Sequence, residues 1–267
     1  MNITRLFLFI FGSFVLLPYF ARAEERDSTT VVRKKVKKNF EPNTAVLFVP
    51  NYNAQFPFGN MRDRFGFNSL VSMQLAYKMK KNWIIGAEGG FLFGNKVREN
   101  YILDNISNYY RQFINADDGT LINVKLQERG YAIKLTVGKV VPISEKYPDA
   151  GLLFITGFGI LQHKIAIDVR ENVLPQLNKT YRKGYDRMSN GPVISQFIGG
   201  IFMERKKFIS LYGGVQFDVA FTQNRRPYDF YTKAKDTQKR VDLFLGIKLG
   251  WIIPVFLQAS DKVEYYY

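Results

Sequence analysis

The chain holds a single histidine, His163, in Gln162-His163-Lys164. Imidazole is the side chain whose ordinary pKa lets it take a proton near neutrality. Given a hydroxyl to activate and a carboxylate to orient the ring, it would complete a nucleophilic triad for acyl chemistry. Ser195 and Asp168 are the residues that suit those two roles. No sequence spacing assembles the three, and a histidine where a strand meets a loop is more often a hydrogen-bonding rim residue. Metal chemistry has less to work with. One histidine and no cysteine cannot build a usual zinc site. Asp117-Asp118-Gly119 reads as a turn rather than a calcium loop. Gly157-Phe158-Gly159 lies inside an apolar run without the helix start that a phosphate cradle requires. No cofactor and no metal are expected.

The other reactive side chains are charges set among apolar residues. In Trp83–Gly94, WIIGAEGGFLFG, strand alternation places Glu88 on a face shared mostly with glycine. Asn68–Met79 puts Val71, Met73, Leu75 and Tyr77 on one face, with Ser72, Gln74 and Lys78 opposite. The same split sets Glu128 and Lys134 against Tyr131, Ile133 and Leu135. It sets Asp218 against Phe217 and Val219, and Asp242 and Lys248 against Leu245 and Ile247. Glu88, Glu128, Lys134, Asp218, Asp242 and Lys248 would thus share one interior as cross-lumen ion pairs, since unpaired buried charge is costly.

Eight segments have this strand character: approximately 44–53, 68–79, 83–95, 123–140, 152–167, 193–203, 208–222 and 240–256. Pro50 interrupts the first, and the fifth and sixth are apolar on both faces. Their connections alternate between short (80–82, 142–151, 204–207) and long (54–67, 96–122, 168–192, 223–239). An even-stranded membrane barrel sorts its connections in this way, with tight turns at one rim and large loops at the other. Tyr77, Trp83 and Trp251 fall near the short-turn rim, where an aromatic girdle belongs. A lipocalin-like barrel with the faces reversed fits the same alternation.

The ends and the composition favour the membrane. Arg5, the run Leu6–Leu17 and Ala21-Arg22-Ala23 read as a signal peptide over residues 1–23, cleaved after Ala23. Residues 24–42 form a basic segment containing Arg33, Lys34, Lys35, Lys37 and Lys38. The barrel is expected over 43–257, followed by a tail over 258–267. Aromatic residues make up 16% and charged residues 23%, which calls for spatial segregation of the two. After the leader no run reaches the roughly 20 apolar residues of a spanning helix, so only a closed sheet could cross a bilayer. The net charge of +15, or +13 without Arg5 and Arg22, comes with no nucleic-acid motif, and no nucleic-acid partner is expected. The long loops are basic and aromatic. Arg182, Lys183, Tyr185 and Arg187 in one, with Arg225, Arg226, Tyr228 and Tyr231 in another, suit contact with lipid phosphate or a protein partner. Tyr101–Phe113 has helix-like apolar spacing and could cap the barrel mouth.

NWIIGAEGGFLFG, VGKVVPI, GFGILQHKI, KGYDRMSNG, FTQNRR and LGIKLGWIIP together resemble the small outer-membrane β-barrel proteins of Bacteroidota, similar to the OmpX, OmpW and PorT-like groups. The resemblance implies an all-β, eight-stranded antiparallel up-and-down transmembrane barrel in the cell outer membrane, with short periplasmic turns and long external loops. Its implied partners are outer-membrane lipid and lipopolysaccharide, and other envelope or secretion proteins. Some barrels of that kind serve type IX secretion and gliding motility. The expected function is a non-enzymatic scaffold or accessory subunit of an envelope process such as protein secretion or outer-membrane assembly. The alternative is a lipid-modifying enzyme using His163.

Overall fold

The computed structural model describes residues 44–107, 113–115, 119–144, 147–169, 174, 177–178, 180–203 and 210–257. The leader, the basic segment 24–42, the tail 258–267, and Asp117 and Asp118 lie outside the described residues.

The strands are β1 (Ala45–Gly59), β2 (Asn68–Lys78), β3 (Trp83–Gly94), β4 (Phe113–Asn115), β5 (Leu121–Asn123), β6 (Lys125–Pro142), β7 (Gly151–Asp168), β8 (Ser189–Phe202), β9 (Ser210–Asn224) and β10 (Lys239–Phe256). A short helix, α1 (Asn60–Arg64), follows β1. Eight strands close into a ring in the order β1-β10-β9-β8-β7-β6-β3-β2, while β4 and β5 form a separate ribbon in a loop. Every pairing in the ring is antiparallel, and β1 pairs with both β2 and β10 to close it. No ring strand is left with a free edge.

Side chains alternate strictly between wall and lumen. Glu88, Lys134 and Lys248 are buried, whereas Ile133 and Leu135 are 59% and 70% exposed. The outer wall carries Phe56, Met73, Phe91, Phe158, Ile160, Ile198, Ile247 and Trp251. A continuous apolar face of this kind belongs against lipid. The reversed, lipocalin-like arrangement is therefore not the one adopted.

Two sequence expectations are corrected. The first strand does not stop at 53 but runs to Gly59, so its external connection shrinks to 60–67 and contains α1. Pro50 is tolerated because it sits at a gap in the pairing with β10, between Phe48↔Ile253 and Asn51↔Gly250, while the ladder to β2 continues. Among the described residues, the helix-like spacing of Tyr101–Phe113 corresponds to one 3-10 turn, Asn100–Leu103, and Phe113 starts β4, while 108–112 lie outside the described residues. Its apolar residues do cap the mouth: Ile102, Leu103 and Ile114 pack with Met61, Phe65 and Ile165.

The lumen is layered. An apolar cluster at the short-turn end includes Leu47, Ile84, Leu153, Phe197, Tyr212 and Ile252. A second, at the loop end, includes Leu70, Leu92, Leu161, Val193 and Phe244. Glu88, Lys134, Asp218 and Lys248, on β3, β6, β9 and β10, each lie between members of the two clusters, so these four ions form a belt between two apolar plugs. This explains why β7 and β8 looked apolar on both faces: Leu153, Ile155, Leu161 and Ile165 point inward as plug residues. Two lumenal voids, one against each plug, measure about 10 Å³ each, at most the room of one water.

Candidate functional site

The lumenal charges meet partners on other strands, several of them from across the ring. Lys248 Nζ donates to both Glu88 oxygens at 2.8 Å, and Ser72 donates to Glu88 Oε1 at 2.6 Å. Lys134 lies 3.6 Å from Asp218, which also accepts from Gln55 and Gln216. Nearer the loops, Asn68 Nδ2 donates to Glu128, and Asp242 Oδ2 accepts from Thr222 at 2.5 Å. Such pairs seal a lumen, because each of these charges has a partner on another strand.

His163 belongs to this interior. It is fully buried, with Nε2 3.0 Å from Asp242 Oδ2. Ser195 is opposite Gly157 while His163 is opposite Ser189, which separates Ser195 from His163 by about 20 Å along the strand. Asp168 is exposed on the outer side at the end of β7, opposite Lys125. The structure does not bring His163, Ser195 and Asp168 together, and the carboxylate beside the histidine is Asp242.

The mouth is closed by a lock centred on Arg187. Its Nε donates to Asp229 Oδ2 at 2.8 Å and its NH1 lies 2.9 Å from Glu99 Oε1. Its guanidinium sits over Tyr101 and Tyr231, at 5.5 and 5.9 Å from the ring centroids. Arg64 of α1 donates to Glu99, to the Arg187 carbonyl and to Ser189. Residues from all the long connections thus meet at one point: Arg64 from 60–67, Glu99 and Tyr101 from 95–124, Arg187 from 169–188, and Asp229 and Tyr231 from 225–238. Burial opposes the Arg187 charge, but Glu99, Tyr101 and Asp229 more than offset it and raise its pKa above the ordinary value. Arg187 takes this position with φ at 45, an uncommon conformation held by the contacts around it.

The lock fixes an outer surface. Tyr185 packs edge-on against Phe230 at 5.3 Å, and Phe230 also meets Tyr181 and Tyr228. Burial raises the Tyr185 pKa. Arg226 forms a two-pronged pair with Asp186, and Arg182 Nε donates to the Leu177 carbonyl at 2.6 Å. Of the sequence-predicted loop contacts, then, Lys183, Arg225, Tyr228 and Tyr231 are exposed. Tyr185 and Arg187 are buried, and Arg182 and Arg226 brace their own loops. Arg64, Glu99 and Asp229 were missed by sequence reasoning. A cue was available in Asp63-Arg64 beside Phe65, but not the partners, which lie up to 125 residues away.

At the other end, Lys78 Nζ donates to Asp149 at 2.5 Å and Asn82 Nδ2 to the Pro148 carbonyl at 2.9 Å, holding Pro148 and Asp149 against the rim. Thr44 and Leu257 meet there too, with Leu257 N–H donating to the Thr44 carbonyl at 3.2 Å.

These features define the class: an eight-stranded up-and-down barrel with a lipid-compatible wall, a filled lumen and interlocked loops. No family model and no curated protein matches the chain. Among solved structures it is similar to Neisserial surface protein A, at 7% identity over 79% of this chain and 99% of that one, with a TM-score of 0.40. It is also similar to Ail, the attachment invasion locus protein of Yersinia pestis, in complex with the heparin analogue sucrose octasulfate. That likeness is 6% identical, over 79% and 99% of the chains, with a TM-score of 0.35. The Ail structure described without that analogue gives 7%, 79%, 99% and 0.34.

Proposed function

We propose that this protein is a non-enzymatic barrel of the cell outer membrane whose interlocked external loops present a fixed contact surface to an envelope partner. The carrying observation is the Arg187 lock, which joins all the long connections at one buried point. A filled lumen supports a role other than conduction, since a lumen packed with side chains passes no solute. The single histidine is enclosed and paired with Asp242, which supports a structural use of the residue. The exposed surface joins Tyr181, Tyr228 and Tyr231 to Lys183 and Arg225, a combination suited to protein contact or to lipopolysaccharide phosphate. In this reading the barrel is a scaffold or accessory subunit of secretion or outer-membrane assembly, its turns facing the periplasm.

The test is a deletion strain complemented with wild type, with Tyr181→Ala/Arg225→Ala/Tyr228→Ala, or with His163→Ala. The proposal expects a stoichiometric envelope protein to co-purify with wild type and to be lost with the loop variant, while lipid A is unaltered throughout. A barrel that purifies alone, with lipid A changed by deletion and not restored by His163→Ala, would establish the enzymatic alternative instead.

A further inference from the structure

The outer wall is not uniform. Gly200 of β8 and Gly213 of β9 are direct partners in the ladder. Glycine weakens a strand interior and usually marks a place where something approaches the backbone closely. An added Cβ at Gly200 would meet nothing within 4 Å, so the glycine opens onto empty space rather than onto a packed neighbour. That space is part of a groove of about 540 Å³ on the wall, bounded by Phe202, Leu211 and Leu249 and, from the short turn, by Ile143 and Tyr147. Its lining is almost entirely apolar.

We propose that this groove holds an acyl chain of a phospholipid in the leaflet on the short-turn side. The inference rests on the membrane-spanning reading of the barrel. Three observations select the occupant. The walls of the groove belong to the lipid-facing belt, with Phe202, Leu211 and Leu249 at 43%, 48% and 58% exposed. Its depth is set by Trp251, opposite Leu211, at the height of the interfacial aromatic girdle. The turn residues Ser144 and Tyr147 line one end, where a head group would lie, and the chain would cross the strands over the ladder partners Gly200, Gly213 and Leu249. An extended apolar chain fits an apolar notch that opens on the lipid-facing wall.

Gly200→Leu places a side chain in the notch at a position where an added Cβ meets nothing within 4 Å. Gly89→Leu is the control, because Gly89 is also exposed, also has nothing within 4 Å of an added Cβ, and lies on β3, away from the groove. Full-length proteins are inserted into vesicles of phosphatidylethanolamine and phosphatidylglycerol, extracted in mild detergent, and weighed by native mass spectrometry. Wild type and Gly89→Leu are expected to retain a phospholipid, and Gly200→Leu to show at least about tenfold lower occupancy, equivalent to about 1.4 kcal/mol. Equal retention by Gly200→Leu overturns the proposal, as does a wild type that inserts but retains none. A wild-type dimer dispersed by Gly200→Leu would assign the groove to a second copy and likewise overturn it. Failure of wild type to insert at all would overturn the membrane-spanning reading itself.

Discussion

Replacing Arg187 with alanine removes the cation that, among the described residues, touches both Glu99 and Asp229. Glu99 retains Arg64 at 3.2 Å, but Asp229 is left buried with backbone N–H groups of Tyr231 and Thr232 as its remaining donors. Removing one partner of a buried ion pair costs about 3–5 kcal/mol, and the surviving Arg64 contact argues for the lower end, about 3 kcal/mol. If that cost falls on local opening, the open fraction of the loop cluster rises about 100-fold. Hydrogen exchange read by mass spectrometry on the detergent-solubilised barrel would report it peptide by peptide. The lock predicts accelerated exchange in 60–67, 95–107, 180–188 and 225–238 together, with β6, β7 and β10 unchanged. Arg225→Ala, whose exposed side chain reaches only Asn190, should change little. Acceleration confined to 180–188 would refute the reasoning, because it would mean that the loops are held independently.

Lys248→Met should destabilise the barrel by about 3 kcal/mol by stranding Glu88, with much of the loss recovered in Lys248→Met/Glu88→Gln, both read as urea midpoints of folding into vesicles. Leu135→Arg, in the lipid-facing wall, should cost about 2–4 kcal/mol in the same assay, and a result near zero would place that face in water. At Asp236 burial acts to raise the pKa, but hydrogen bonds from Arg240, the Gln238 backbone and Asn224 win and lower it below the ordinary aspartate value of 3.8. Its contribution to loop 225–238 is therefore complete above 3.8 and lost as pH falls through the lower folded value, so exchange in that loop should rise only in that acid window and Asp236→Asn should abolish the rise.

The ring was legible in the sequence because lipid outside and ions inside force a period of two, as in Val71–Tyr77 and Val241–Trp251. Legibility failed where the lumen is itself apolar: the plug residues Leu153, Ile155 and Ile165 resemble wall residues, and only closure of the ring assigns their side. It failed at β1 because a proline is read as a strand breaker, although it needs only one interrupted ladder. The apolar spacing of Tyr101–Phe113 was real, and its described residues Ile102 and Leu103 serve packing with Phe65 and Ile165. The ionic partners Glu88, Lys134, Asp218 and Lys248 could be named from alternation, whereas the Arg187 lock could not. Its members lie on separate loops and meet only when the barrel brings their ends together.

The chain contains no cysteine, so single cysteines placed in it are clean reporters. Lys183→Cys and Tyr228→Cys lie at the loop end, and Lys80→Cys and Ile143→Cys at the turn end, all exposed or partly exposed positions. Labelling of intact cells with a membrane-impermeant maleimide tests the central claim most directly. The account predicts that positions 183 and 228 react on intact cells and that positions 80 and 143 react only after the outer membrane is breached. Reaction of the turn positions alone on intact cells, or of no position before lysis with all reacting alike afterwards, would contradict it.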